Sequence, residues 1–306
     1  MNKLLIICGP TATGKTSLGI HLAKKFNGEI ISADSRHVYR GLNIITGKDK
    51  SKDIPVHLID IVDPDYIYNL GEYRTLALKV INEIHQKNKL SIIVGGTGLY
   101  IHSILKPLED INIPPNEKLR KELNSLTKQQ LQRLFSRLNK SWYESMNYSD
   151  KNNPRRLIRA IEISLSKEKN QKINLPSFNT LIIGLAGSSE FINKKIDKRV
   201  EERLKNGALE EAEDILKKYK NPSLPAISST GVRQLKEFIE NKISLIEAIK
   251  KWKLAEYQYA KRQMTWFKKE KDVNWFDIQN KDHISQIEDM VSKWYTSFSQ
   301  QPIANS

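Results

Sequence analysis

Positions 9–16, GPTATGKT, fit the pattern G-x-x-x-x-G-K-[ST]. A glycine-rich turn of this kind points several backbone N–H groups, and the positive end of the helix that follows, at one spot. Gly9, Pro10, Thr11, Ala12, Thr13 and Gly14 would therefore cradle phosphate oxygens through the main chain. Lys15 adds a mobile positive charge, and the hydroxyl of Thr16 suits the coordination shell of a Mg²⁺ ion bound to the same oxygens. The flanking segments are of the right type. KLLIIC (3–8) reads as a buried strand, and Leu18, Leu22, Ala23 and Phe26 recur at helical spacing over 16–26.

A phosphate grip alone does not name the reaction. Nucleotide hydrolysis needs an acid that ends a very apolar strand and helps to hold the metal. The best apolar strand, SIIVGGTGLY (91–100), ends instead in Gly95 and Gly96. Two other strands do end in acids, Asp34 in EIISADS and Asp60 in HLIDIVDP. Asp34 follows the second strand and should share the carboxyl-end rim with the phosphate loop, where a carboxylate can act as general base or as part of a metal shell. Thr97, in GGTG, offers a hydroxyl close by. Arginines are scarce, 13 against 37 lysines, so Arg155, Arg156 and Arg159 in NPRRLIRAIEI, and Arg233 after SSTG, are candidates to neutralise phosphate charge. These features suit phosphoryl transfer, as in a small-molecule kinase, or any reaction with a diphosphate leaving group.

The elements that must position these residues follow an α/β pattern. Residues 1–106 alternate strand and helix, which predicts a parallel sheet covered by helices, with ligands at the strands' carboxyl ends. Residues 107–151 carry no strand signal and read as a helical insertion, and the core resumes over 152–306 with a strand at 180–186. Gly207 reads as a helix C-cap and the last residues, SQQPIANS, as disordered. Over 244–269 a long helix is expected. Leu245, Ile249, Trp252, Ala255, Tyr259, Arg262 and Trp266 would face protein, and Lys250, Lys253, Tyr257, Lys261 and Lys268 would face solvent or an anion.

The formal net charge of +15 and a pI near 9.6 favour a polyanionic partner, although a lysine-rich composition alone would give the same balance. One cysteine, Cys8, excludes a disulfide framework and a cysteine zinc site. No apolar run approaches membrane-span length and no leader pattern precedes the first strand, so a soluble, cytoplasmic protein is expected, with no obligate protein partner evident.

Taken in order, GPTATGKT, EIISADSRHVYRGLNI, IPVHLID, VGGTGLYI, NNPRRLIRAIE, GVRQL and AKRQMTWFKKE resemble the tRNA dimethylallyltransferases, also called tRNA isopentenyltransferases, of the bacterial type, over about residues 3–277. The resemblance implies that the phosphate loop binds dimethylallyl diphosphate and that the dimethylallyl group goes to N6 of the adenine just 3′ of the anticodon, in tRNAs reading codons that begin with U. It also implies that Lys15, the loop amides, Arg233 and Mg²⁺ near Thr16 stabilise the leaving diphosphate, that Asp34 accepts the N6 proton and that Thr97 lies near the reacting centre. The tRNA-contacting stretches it implies contain Asp34, Ser35, Arg36 and His37; Arg155, Arg156 and Arg159; Ser228, Gly231 and Arg233; and Lys261, Arg262, Gln263, Trp266 and Lys268. The helical insertion would embrace the anticodon stem. Arg36 and His37 stand where the family commonly has Met-Gln, Ile45 where it has glycine, Asn153 where it has aspartate and Val232 where it has tyrosine. Alternatives of neighbouring chemistry are a transferase acting on AMP or ADP, a small-molecule kinase and a P-loop RNA binder without catalysis.

Overall fold

Residues 2–49, 51–108, 110–111, 113–166 and 175–297 are described by the computed structural model. The chain opens with β1 (Lys3–Cys8), α1 (Lys15–Lys25), β2 (Gly28–Ser32), β3 (Val56–His57), α2 (Leu70–Gln86), β4 (Leu90–Val94) and α3 (Gly98–Leu105). A helical segment follows, with α4 (Glu117–Leu123), α5 (Lys128–Leu138), α6 (Lys140–Ser145), α7 (Tyr148–Lys151) and α8 (Pro154–Leu165). The chain then continues through β5 (Asn179–Ala186), α9 (Ser189–Lys205), α10 (Ala208–Lys218), α11 (Val232–Ile239), α12 (Leu245–Phe267), β6 (Val273–Asp277) and α13 (His283–Thr296). Two compact units result, Met1–Leu105 with Pro176–Ser306, and Lys106–Leu175.

In the first unit six strands form one sheet in the order β3-β2-β4-β1-β5-β6, and every pairing is parallel. Parallel strands need helices on both faces, which is why β1, β2 and β4 read as near-continuous apolar runs. On one face Leu18 and Leu22 of α1 and its C-cap Phe26, with Ile287 and Val291 of α13, pack against Leu5, Ile7 and Ile183. On the other, Tyr73, Ala77, Ile81 and Ile84 of α2 and Ile101 and Ile104 of α3 pack against Leu4, Ile6, Ile31 and Ile93. A third cluster, around the fully buried Trp252, ties α9, α10, α11 and α12 together. Because β4 lies between β2 and β1, the loops that leave these three strands emerge side by side, and these are ADS, GGTG and the phosphate loop.

Three elements differ from the sequence reading. The strand expected over 56–61 pairs only at Val56–His57, because Leu58 (φ 61°) and Asp60 (φ 56°) adopt left-handed backbone that leaves the ladder. Asp60 turns to an ion pair with Lys48 at 2.5 Å. The edge strand β6 gives no sequence signal, since VNWFD mixes polar and apolar residues and none of them is buried. Gly207, at φ 99°, does end α9, and it also starts α10. The tail SQQPIANS lies outside the described residues. Among the described residues no helix is long and apolar enough to cross a membrane.

The second unit is helical throughout its described elements, with a core of Leu123, Leu131, Phe135, Leu157, Ile158 and Ile161. It extends past the 107–151 segment because α8 supplies much of that core. The buried carboxylate of Glu162 accepts two bonds from Arg120 at 2.9 Å and the N–H of Asn116 at 2.6 Å, joining α4 to α8.

Candidate active site

The phosphate loop is braced from within. Thr13 Oγ1 donates to the carbonyl of Pro10 at 2.8 Å, and Lys15 Nζ donates to the same oxygen at 2.6 Å. Gly14, at φ 83°, turns the chain into α1 without a side-chain cap, which leaves the first amides of the helix available to an anion. Burial, then the neighbouring Arg199, lower the Lys15 ammonium to about 8, with Asp34 and Cys8 pulling the other way. A buried cation with a weakened hold on its proton favours a highly charged anionic ligand.

Across the rim, Asp34 leaves β2. Its Oδ1 accepts the N–H of Arg36 at 2.8 Å, and Oδ2 lies 3.9 Å from Nε2 of His37. Burial pushes this carboxyl up, but His37, the Arg36 N–H and guanidinium and Lys15 together outweigh it and hold the group below its ordinary value. Asp34 is therefore ionised at neutral pH and able to take a proton. Thr97 fixes its loop, since Oγ1 accepts the N–H of Ser35 at 3.1 Å and the Thr97 N–H donates to Ala33 at 3.0 Å.

One cavity of about 540 Å³ joins the two halves and is lined by Thr11, Lys15 and Thr16 on one side and by Asp34, Ser35, Arg36 and His37 on the other. Ser228, Arg233, Arg262 and Gln263 also line it. Arg36 donates to the carbonyl of Pro225 at 2.6 Å, bringing the 225–233 loop to the rim. Thr97 and Trp266 stand outside the lining. Gly231 is buried against Ile45 and Trp252, so its place is in packing. Lys261 on α12 and Lys268, the residue that caps its C-terminus, are exposed. Arg155, Arg156 and Arg159 belong to the helical unit, where Arg155 is exposed, Arg156 pairs with Asp150, and Arg159 is held by Glu162 and by the carbonyls of Asp110 and Ile113.

The faces of α12 correct the sequence reading. Its buried stripe is Ala248, Trp252, Glu256, Ala260, Gln263 and Phe267, whereas Ala255, Tyr259 and Arg262 border the cavity. Lys253 and Tyr257 do not form a free basic face, because both engage carboxylates of α9, Lys253 with Glu201 at 2.7 Å and Tyr257 with Asp197. Glu256 and Gln263 look like surface residues by type and are buried because each has a partner. Glu256 meets Arg203, and Gln263 joins two loops: its Oε1 accepts the N–H of Thr11 at 2.8 Å and its Nε2 donates to Gly96 at 3.1 Å. A Cβ on Gly96 would stand 1.9 Å from that Nε2, and one on Gly98 would stand 2.0 Å from Trp266, so the GGTG glycines make room for α12.

The sequence reading missed Arg199 and Arg203, which reach the cavity from α9. Arg199 donates to Thr11 Oγ1 at 3.0 Å. Their i, i+4 spacing on the helix after β5, the strand beside β1, was the available signal. Two of the departures from the family pattern fall together: Ile45 and Val232 are both fully buried in the cluster around Trp252, and Ile45 Cγ2 lies 2.5 Å from where a Cβ on Gly231 would be. Three successive N–H groups, of Asn43, Ile44 and Ile45, anchor the Ile45 loop on the carboxylate of Glu211.

A parallel sheet carrying a phosphate loop, with a carboxylate facing that loop across a shared cavity, defines a P-loop α/β transferase. Residues 37–270 match the family model described as IPP transferase and residues 2–57 match isopentenyl transferase. A tRNA dimethylallyltransferase of Pelotomaculum thermopropionicum is 37% identical over 90% of this chain and 91% of its own. The one from Clostridioides difficile is 35% identical over 94% and 96%. Among solved structures, a tRNA isopentenylpyrophosphate transferase of Bacillus halodurans superposes with a TM-score of 0.73 at 32% identity, over 97% of this chain and 98% of its own. A eukaryotic dimethylallyltransferase acting on tRNA superposes with a TM-score of 0.83 at 26% identity, over 100% of this chain and 82% of its own. The chain belongs to the tRNA dimethylallyltransferase family.

Proposed function

We propose that this chain transfers the dimethylallyl group of dimethylallyl diphosphate to N6 of the adenine just 3′ of the anticodon, in tRNAs reading codons that begin with U, and releases diphosphate. The observation that carries this reading is the single cavity holding both Lys15 and Asp34. The N6 lone pair attacks the allylic carbon, the carbon–oxygen bond to the diphosphate breaks with its electrons on oxygen, and Asp34 takes the N6 proton. An exocyclic adenine amine is a poor nucleophile, so an oriented carboxylate and a neutralised leaving group are the two aids it most needs. Lys15, the loop amides, Arg199 and Arg233 supply the second aid. The cavity volume suits a prenyl diphosphate meeting one flipped purine, whose unstacking costs a few kcal/mol.

Among the described residues no group of three His, Cys, Asp or Glu could cage a metal. Thr16 and Asp34 nevertheless place oxygens on the cavity wall beside Lys15, which fits Mg²⁺ held mainly by phosphate oxygens and water. Bound near Thr16, Mg²⁺ would neutralise charge on the diphosphate. Ser35, Arg36, His37, Ser228 and Arg262 at the rim, with Lys261 and Trp266 on α12 and Lys268 at its C-cap, form the proposed RNA surface of the first unit. Arg155 and Arg156 give the helical unit basic contacts for the anticodon stem. As an enzyme acting on tRNA, the protein would be cytoplasmic.

Incubation with Mg²⁺, radiolabelled dimethylallyl diphosphate and either an unmodified tRNA transcript or AMP tests the reading. Label on tRNA is expected. Label on AMP alone, consumption of ATP in place of the donor, or RNA binding without transfer would each replace it.

A further inference from the structure

Behind the wall that carries Asp34 and His37 lies a lysine whose side chain is fully buried. Lys48 Nζ meets Oδ1 of Asp60 at 2.5 Å, and donates also to the carbonyl of Tyr39 and, at 3.3 Å, to Oδ1 of Asn43. Three stretches of chain, 39–43, 46–48 and 58–60, therefore converge on one ammonium. Two of them hold His37. Its carbonyl accepts the N–H of Asp60 at 3.0 Å, and its ring Nε2 donates to the carbonyl of Thr46 at 3.3 Å. The same nitrogen lies 3.9 Å from Oδ2 of Asp34. Asp34, His37, Thr46 and Ile59 line the cavity, whereas Lys48 stands behind them. The turns at 46–48 and 58–60 belong to no helix or strand ladder, so side chains must fix their separation. Leu58 and Asp60 stand at φ 61° and 56°, a left-handed backbone that residues other than glycine keep only where their surroundings determine it. At Asp60 those surroundings are Lys48 on the side chain and His37 on the main chain. A buried ammonium needs its counter-charge and its hydrogen bonds, so Lys48 cannot leave this junction without releasing both turns.

We propose that Lys48 and Asp60 are positioning residues for the transfer step: their ion pair sets where the His37 imidazole stands and, through it, how Asp34 faces the attacking amine. This rests on the reading of Asp34 as proton acceptor. Neither residue touches a substrate, and the phosphate loop has no part in the junction, so the pair acts on the acceptor side of the cavity alone.

The double variant Lys48→Met/Asp60→Asn removes both charges together, leaves no buried charge unpaired, and puts at position 60 a residue that tolerates left-handed backbone. Its kcat on tRNA should fall about 100-fold, the cost of a reacting group misplaced from a distance. Its melting temperature, and its affinity for inorganic pyrophosphate measured by calorimetry in Mg²⁺ buffer, should stay near those of the wild type. Asp60→Asn alone should keep most of the turnover, because the amide oxygen still accepts the bond from Lys48. Unchanged kcat in the double variant, or a kcat that falls in step with pyrophosphate affinity and melting temperature, overturns the proposal. If the double variant fails to fold, Asp60→Gly decides, since glycine keeps the left-handed turn and removes only the partner of Lys48. The same split is expected there, and wild-type turnover is fatal.

A second readout needs no activity. The ring signals of His37 in long-range proton–nitrogen spectra at fixed pH, assigned with His37→Gln, should shift in the double variant and hold in Asp60→Asn. Signals that do not move in the double variant reject the positioning role whether or not the wild type prenylates RNA. A shift in a protein that transfers no prenyl group to RNA supports the clamp and rejects only the proposed reaction.

Discussion

Gln263 on α12 accepts the backbone N–H of Thr11 in the phosphate loop at 2.8 Å and gives its own N–H to Gly96 at 3.1 Å. One amide thus joins the helix proposed to meet RNA to the loop that grips the donor and to the loop that bears Thr97. The bond to Gly96 is buried, so that carbonyl cannot turn to water if the side chain is removed, whereas Thr11 is half-buried at the cavity wall.

Gln263→Leu leaves the buried carbonyl of Gly96 unpaired at a cost of about 1–3 kcal/mol and removes the partner of the half-buried Thr11 N–H. Steady-state kinetics should show the donor KM rising by more than the tRNA KM, because the phosphate loop loses its brace. Equal change in both would place Gln263 in RNA binding rather than in loop positioning.

Asp34→Asn keeps shape and removes the base. Turnover should fall by about 10²–10⁴-fold, the usual worth of a positioned proton acceptor, with donor affinity little altered. Unchanged turnover would remove Asp34 from the chemistry. In the wild type the carboxyl is held below its ordinary value, so the ionised base persists on acidification and is lost only when pH falls through that lowered value.

Lys15 sets the alkaline limit. Its ammonium lies at about 8 in the free protein, and diphosphate binding favours the charged form, so the free protein must take up a proton to bind once pH exceeds that value. Pyrophosphate affinity should be flat below about 8 and fall steadily above it. Calorimetry across that range checks the sign, and affinity that rises with pH would contradict it.

Lys261 is exposed on α12, whereas Lys253 is paired with Glu201. Lys261→Ala should weaken tRNA binding at low salt and reduce the slope of log affinity against log salt by about 1. An unchanged slope would mean that this lysine only faces solvent.

The phosphate loop, Asp34 and the parallel sheet were legible because each has a local signature: a spaced glycine-lysine motif, an acid after an apolar strand, and continuous apolar runs. What stayed hidden depends on strand order and on buried polar pairs. No local pattern says that β4 inserts between β1 and β2, which brings GGTG to Asp34. Glu256 and Gln263 break the apolar stripe of α12 yet lie inside it, so helical periodicity rotated that helix by about one residue. Arg199 and Arg203 read as ordinary surface charges on α9 until β5 is known to lie beside β1. Tyr257 and Lys253 failed the other way, being surface-like by type and engaged with α9 in fact.

The central claim is that a diphosphate leaves from the loop at Lys15 as an adenine amine attacks opposite Asp34. Its most direct test is mass analysis of nuclease fragments from a tRNA treated with the protein, Mg²⁺ and dimethylallyl diphosphate. Gain of one dimethylallyl group on the adenosine just 3′ of the anticodon, abolished in Asp34→Asn, is the predicted result. A gain on any other nucleoside, or none while ATP is consumed, would contradict it.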